Sequence, residues 1–264
     1  MTENPGGGNS EPIVHYQGVC LSFGSQVVLD GVDLTVHRGE RLVILGQSGT
    51  GKSTLLKLLL GVLKPLRGAI FFQGHNVPEL KMKELNQVRQ KIGMVYQYSA
   101  LISSANVRDN LALPLQELTE KSESEIDEIV NEKLEMVGML SARSKLPSQL
   151  SGGMRKRVSL ARALVMEPEV ILFDEPSAGL DPVISAVIDE LIVALSEETH
   201  TTSIIVTHEM DSAFRIATRM AMLYQGKMII DDDPKAVRNA EHPVVRQFID
   251  GNSQGPIVLD HKPA

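Results

Sequence analysis

Disulfides, membrane spans and a surplus of basic charge are all missing from this sequence. The single cysteine, Cys20, excludes an internal disulfide framework and reads as a structural thiol. No window approaches the roughly 18 uninterrupted apolar residues of a membrane span, so any membrane role must run through a partner. With 26 basic against 33 acidic residues the net charge is -7, and the chain as a whole has no electrostatic reason to bind nucleic acid. Repeats and blocks of like charge are absent too. Residues 1–12 lack the basic start and apolar core of a signal peptide, and they read as a disordered leader. What remains is a 264-residue chain that is 42% hydrophobic, enough for a core in one large domain or two small ones.

Gly46-Gln47-Ser48-Gly49-Thr50-Gly51-Lys52-Ser53 fits G-x-x-x-x-G-K-[ST] between an apolar run, Leu42 to Leu45, and a helical one, Thr54 to Leu63. Its glycines let the backbone aim successive N–H groups at one anion, the following helix adds its positive end, and Lys52 adds a full charge. Ser53 is then placed to ligate Mg²⁺. Val170 to Phe173 is an apolar strand ending in Asp174-Glu175, the form of a Walker B element. Asp174 would hold Mg²⁺ through its water shell, and Glu175 could orient or deprotonate a water attacking a γ-phosphate. Leu150-Ser151-Gly152-Gly153-Met154 precedes the helix Arg155 to Val165 and offers a second anion site at a helix start. Two such helix ends beside one cradle suggest two chains meeting head to tail. Taken alone, the second reads better as a capped helix start; beside the cradle and the Walker B strand it does not.

Around these motifs, Ile13 to Phe23 and Val27 to Val36 read as strands about a turn at Gly24-Ser25, with Asp30-Gly31 as a second bend. Short apolar runs at 70–72, 92–96, 203–207 and 220–224 join those already named as strands buried on both faces. The pattern predicts an α/β P-loop NTPase core of the RecA-like kind, with a mostly parallel sheet and an N-terminal antiparallel β subdomain. Residues 106–163 hold helical patterns without a strand, so a helical subdomain of about 98–165 is inserted. Its clearest helix starts at Ser122, with Glu125 completing a capping box, and stops at Gly138. Pro114 should end or kink the helix before it.

Walker A, Leu-Ser-Gly-Gly, Walker B with its glutamate, Ser177-Ala178-Gly179-Leu180-Asp181 and Val206-Thr207-His208-Glu209 together resemble an ABC-transporter ATPase subunit over about residues 13 to 235. That resemblance implies ATP and Mg²⁺ as ligands, bound by Gly46 to Thr54 and by Ser53, Asp174 and Gln97. It makes Glu175, His208 and Gln97 the catalytic set, Gln97 being the Q-loop residue and His208 the switch histidine, whose donor state can vary near neutral pH. Ser151, Gly152, Gly153 and Asp181 would act across a homodimer on the partner's nucleotide. Phe23 takes the place of the aromatic that stacks on adenine, with core packing as the alternative. His15, His37, His75 and His200 read as surface or core residues.

Three further features resemble the ATPases of Mla-type phospholipid transport systems: Leu-Ser-Gly-Gly-Met; Ala100-Leu101 followed by Asn106-Val107-Arg108-Asp109-Asn110; and a tail with Val245 to Gly251 and Gly255-Pro256. This implies integral-membrane permease subunits, a small regulatory subunit and an MCE lipid-binding protein as partners, no nucleic acid, and a place on the cytoplasmic side of a bacterial inner membrane. Tyr98 to Leu101 would floor the permease contact. The expected layout is a 1–12 leader, a 13–240 ATPase domain and a 241–264 tail that contacts the partner ATPase or regulatory subunit, or else folds on its own subunit. Two other readings stand beside this one. One is a transporter of another solute, and the other a non-transport ABC protein, which would usually carry a long coiled-coil insertion or two cassettes.

Overall fold

Strand β1 (Pro12–Phe23) turns at Gly24-Ser25 into β2 (Gln26–His37), and both continue in an antiparallel sheet of order β2-β1-β4-β5 with β4 (Arg67–Phe72) and β5 (His75–Asn76). These positions come from a computed structural model, which describes residues 12–257. Residues 1–11 of the expected leader, and Val258 and Leu259 of the tail, lie outside that range. Asp30-Gly31 is a bulge within β2 and not a second bend: Val19 pairs with Val32 and Leu21 with Leu29, so the extra residues are looped out with Gly31 at φ 68°.

The second sheet has the order β10-β9-β3-β8-β7-β6. Its strands β3 (Arg41–Leu45), β6 (Ile92–Val95), β7 (Val170–Asp174), β8 (Thr202–Thr207) and β9 (Arg219–Tyr224) run parallel. Only β10 (Lys227–Asp232) runs against its neighbour. The parallel strands lack alternation because both faces are covered: Val43 and Leu45 of β3 enter one core, Leu42 and Ile44 the other. The second core is shared with the antiparallel sheet and with α1 (Lys52–Leu59), where the buried Tyr16 hydroxyl donates to the Leu55 carbonyl at 3.0 Å. Helix α1 is shorter than the apolar run, since Gly61 turns left-handed at φ 63° and the amide of Val62 closes back on the Lys57 carbonyl. Helix α2 (Met82–Gln90) leads into β6.

The helical insertion comprises α3 (Val107–Leu118), α4 (Glu123–Met136) and α5 (Gly152–Leu164) between β6 and β7. The capping box at Ser122 forms as expected, with Glu125 accepting from the Ser122 amide at 2.7 Å. Pro114 does not end its helix: α3 runs on to Leu118 because Ala112 and Leu115 are both sealed in the core, and their burial outweighs the lost amide. Helix α5 starts at Gly152, earlier than expected, because the Ser151 hydroxyl caps it.

Beyond β7 come α6 (Pro182–Thr199), α7 (Met210–Ile216), α8 (Pro234–Arg238) and α9 (Pro243–Asp250). Gly251, left-handed at φ 64°, ends α9. The chain then folds back: Gln247 accepts from the Ile257 amide at 2.6 Å and donates to its carbonyl at 3.2 Å, so Ile257 is buried in its own subunit's core.

Candidate functional site

Parallel strands deliver their C-terminal ends to one edge of a sheet, and here four of them bring chemistry to it. The central β3 ends at Leu45, which pairs with Thr207 of β8, while Asp174 of β7 pairs with Val206. The loop 46–51, the carboxylates Asp174 and Glu175, and Thr207-His208 therefore converge, with Gln97 two residues beyond β6.

In the loop, Gly46 (φ 151°) and Gly51 (φ 102°) are required on steric grounds. A Cβ on Gly46 would lie 2.5 Å from the Leu223 carbonyl oxygen, and one on Gly51 2.8 Å from a Val28 methyl. The second contact seats the β1-β2 hairpin over the loop. That hairpin presents Phe23 with 53% of its surface exposed, so Phe23 is not a core residue. Gln47 accepts at its carbonyl from the Thr50 hydroxyl at 2.9 Å. Ser48 and Gly49 are exposed at the loop's tip, and Thr54 begins the α1 hydrogen-bond ladder on the Gly51 carbonyl.

Lys52 is buried inside this loop, donating to the carbonyls of Gly46 at 2.7 Å and Gln47 at 2.9 Å, with Glu175 Oε1 3.8 Å away. Burial lowers its pKa, opposed by the charges of Glu175 and Asp174. Ser53 Oγ donates to Asp174 Oδ1 at 2.7 Å, and both line a cavity of about 500 Å³ together with Gln97. An oxygen-only set of hydroxyl, carboxylate and amide fits Mg²⁺. Among the described residues no group of three His, Cys, Asp or Glu could hold a metal, so a cation here would take its other ligands from phosphate and water.

Glu175 is held in the left-handed region at φ 51°, a strained position for a residue with a side chain. Both carboxylate oxygens are engaged: Oε1 is 2.9 Å from His208 Nδ1, and Oε2 accepts from Thr207 Oγ1 at 3.1 Å. Thr207 was legible only as part of a strand, yet it orients the carboxylate.

Ser151 Oγ accepts from the Met154 amide at 3.3 Å and remains exposed. A Cβ on Gly153 would lie 2.8 Å from an Ile184 methyl, which would have to shift, and one on Gly152 would press on Leu180 at 3.2 Å. Ser151 to Gly153 therefore pack on the segment carrying Asp181. The Asp181 carboxylate caps α6, accepting from the amides of Val183 and Ile184 at 3.1 Å each. Among the described residues no hydrogen bond or ion pair joins these four to the loop 46–54 of their own chain.

Two polar networks escaped the reading of the sequence. Along one face of α5, Lys156, Ser159 and Arg162 all donate to main-chain carbonyls of the segment 97–100, and Lys156 also reaches the Glu175 carbonyl. Burial pushes the Lys156 ammonium down to about 8 against the opposing charges of Glu175, Glu209 and Asp174. Lys156, Ser159 and Arg162 share the spacing i, i+3, i+6, but their partners are main-chain groups that the sequence does not mark. In the second network, Ser212 on α7 donates to the fully buried Asp189 of α6 at 2.7 Å and lies 3.1 Å from Ser177 Oγ. This ties the segment before Asp181 to the helix after His208. Within 98–101, Tyr98 is 87% exposed, but Ser99 is buried and its side chain cannot floor a contact.

Residues 29–178 match the family described as ABC transporter. The chain is 44% identical over 249 residues to the probable ribonucleotide transport ATP-binding protein mkl of Mycobacterium tuberculosis, covering 94% of this chain and 69% of that one. It is 38% identical over 245 residues to the intermembrane phospholipid transport system ATP-binding protein MlaF of Escherichia coli, covering 93% and 91%. Among solved structures, cbiO1 from Clostridium perfringens, part of the ABC transporter complex cbiONQ, superposes with a TM-score of 0.82 at 32% identity, covering 90% and 94%. The ATP-binding cassette MJ0796, dimeric and bound to ADP and Pi, superposes with a TM-score of 0.75 at 32% identity, covering 83% and 98%.

Proposed function

Because this chain belongs to the ABC transporter ATP-binding family, and hydrolyses ATP as an ABC ATPase subunit, we propose that it powers a phospholipid transporter at the cytoplasmic face of a bacterial inner membrane. The observation that carries the chemistry is the convergence of Lys52, Ser53, Asp174, Glu175 and His208 at one sheet edge. Loop amides, the α1 N-terminus and Lys52 bind the phosphates. Glu175 orients a water and takes its proton as the oxygen attacks the γ-phosphorus and the bond to ADP breaks. His208, 2.9 Å from that carboxylate, holds it in place and reaches the γ-phosphoryl group as it passes from ADP to the water. Phe23 stacks on the adenine. Ser53, Asp174 and Gln97 hold Mg²⁺, which neutralises phosphate charge when bound.

Two copies close head to tail, so that Ser151, Gly152, Gly153 and Asp181 complete the partner's nucleotide site. The dimeric MJ0796 cassette supports this arrangement. No helix among the described residues is long and apolar enough to cross a membrane, so the force of closure passes to permease subunits through a surface. A groove of about 580 Å³ between α2, β6 and the insertion, lined by Met94, Leu113, Pro114 and Leu118, supports a docked permease helix there. A small regulatory subunit and an MCE lipid-binding protein complete the assembly.

The phospholipid reading rests on the likeness to MlaF over nearly all of both chains, together with the tail from Val245 to Pro256. A second reading, ribonucleotide transport, is favoured by the higher identity to mkl. Copurification from membranes and reconstitution in vesicles separate them. Lipid transport should bring down a permease with an MCE protein, and ATP hydrolysis should drive transfer of labelled phospholipid without uptake of a labelled ribonucleotide presented on the opposite side of the vesicle; ribonucleotide uptake without lipid movement would reverse the assignment.

A further inference from the structure

We propose that Lys156 is a positioning residue for hydrolysis, one buried ammonium that holds Gln97 and Glu175 at a fixed separation through their main-chain carbonyls. Its Nζ donates to the Gln97 carbonyl at 2.5 Å and to the Glu175 carbonyl at 3.3 Å, and the residue is 5% exposed. The inference rests on Gln97 and Glu175 being the residues that handle the attacking water.

Among the described residues Lys156 forms no ion pair: neutral carbonyls take its hydrogen bonds, and the carboxylates of Glu175, Glu209 and Asp174 act on it only from beyond ion-pair distance. An unpaired buried ammonium is costly, and a methionine would fill a similar volume without that cost. The gain is geometric. Strands β6 and β7 pair only as far as Val95 and Phe173, and past the end of that ladder the carbonyls of Gln97 and Glu175 are bridged by a group with three donors.

The neighbouring tethers do a different job. Ser159 Oγ donates to the Ser99 carbonyl at 3.1 Å, and Arg162 donates to Ser99 and Ala100 at 3.0 and 2.6 Å. A Cβ on Gly93 would lie 2.6 Å from the Ala163 carbonyl oxygen, so β6 itself is pressed on α5. These contacts bind the segment after Gln97 to α5, but only Lys156 extends the grip to Glu175. Any displacement of α5, the helix that Ser151 caps, must therefore carry Glu175 with it or break the Lys156 bond.

The test uses the full chain with Mg²⁺-ATP in single-turnover hydrolysis, alongside equilibrium ATP binding. Lys156→Met, of similar length without donors, should slow hydrolysis about 10- to 100-fold, the scale of a small misplacement of reacting groups, with ATP affinity within about threefold of the parent. Lys156→Gln, shorter but keeping N–H donors, should lose less. Combined with Gln97→Ala, Lys156→Met should cost far less than the product of the separate losses, because both act on one alignment. The proposal is overturned if Lys156→Met hydrolyses within twofold of the parent, if affinity and rate fall together in both variants, or if the losses with Gln97→Ala multiply. Should Lys156→Met fail to fold, Lys156→Gln and its cycle with Gln97→Ala decide. Near-parental hydrolysis by Glu175→Gln would instead remove the catalytic reading itself, independently of Lys156.

Discussion

Glu175 combines a left-handed backbone with a carboxylate shared between Thr207 and His208, which fixes its direction before any water arrives. Glu175→Gln keeps the shape and loses the proton acceptor, so hydrolysis should fall ~10²- to 10⁴-fold while ATP affinity is retained. Steady-state phosphate release and ATP binding by the purified variant check this, and near-normal turnover would exclude the role. The position of Glu175 at the strand tip was legible, because an apolar strand ending in two carboxylates downstream of a phosphate loop is a local pattern. Lys156 was not. Its partners are main-chain carbonyls 59 and 19 residues away, and a carbonyl leaves no mark in a sequence.

At the scale of elements, α3 of the helical insertion is held to the segment 102–106 before it by Asn110, which is 1% exposed. Its side chain accepts from the Ile102 amide at 2.7 Å and donates to the carbonyls of Ile102, Ala105 and Asn106. Asn110→Leu strands that buried amide and those carbonyls, and should destabilise the chain by roughly 1–3 kcal/mol in denaturant unfolding. Ser122→Ala should cost about 0.5–2 kcal/mol by the same measurement, since the capping box loses its hydroxyl. The second of these could be foreseen, because a capping box is a spacing of four residues. The run of α3 through Pro114 could not, because proline's local cost is overridden by burial of Ala112 and Leu115, which depends on distant partners. Strand β10 went unnoticed for a related reason: it is a partly exposed edge strand ending in Asp231-Asp232, without the apolar run that marks its neighbours.

For the whole molecule, on the reading proposed above, Lys52 and Ser151 belong to two halves of one nucleotide site that meet across the dimer. In a heterodimer, Lys52→Ala in one chain with Ser151→Arg in the other puts both lesions on one nucleotide and spares the second; both lesions in one chain should damage both sites. Site-resolved nucleotide occupancy distinguishes the two arrangements, and identical occupancy would exclude shared sites. The tail serves assembly in the reading given above, although Ile257 is anchored on its own subunit by Gln247. Removing residues 251–264 should weaken homodimerisation or regulatory-subunit binding while the monomer's ATP affinity stays near normal, as sedimentation and ATP titration can show; unchanged assembly would rule this out. Gly153, whose missing Cβ admits Ile184 at the base of α6, has a consequence of another kind. A side chain there spoils the surface offered to the other subunit, not the nucleotide its own loop holds. Expressed beside the normal protein, such a variant should disable the site built on its healthy partner's Lys52 and leave its own, the mirror of a Lys52→Ala chain, which disables its own site and spares its partner's.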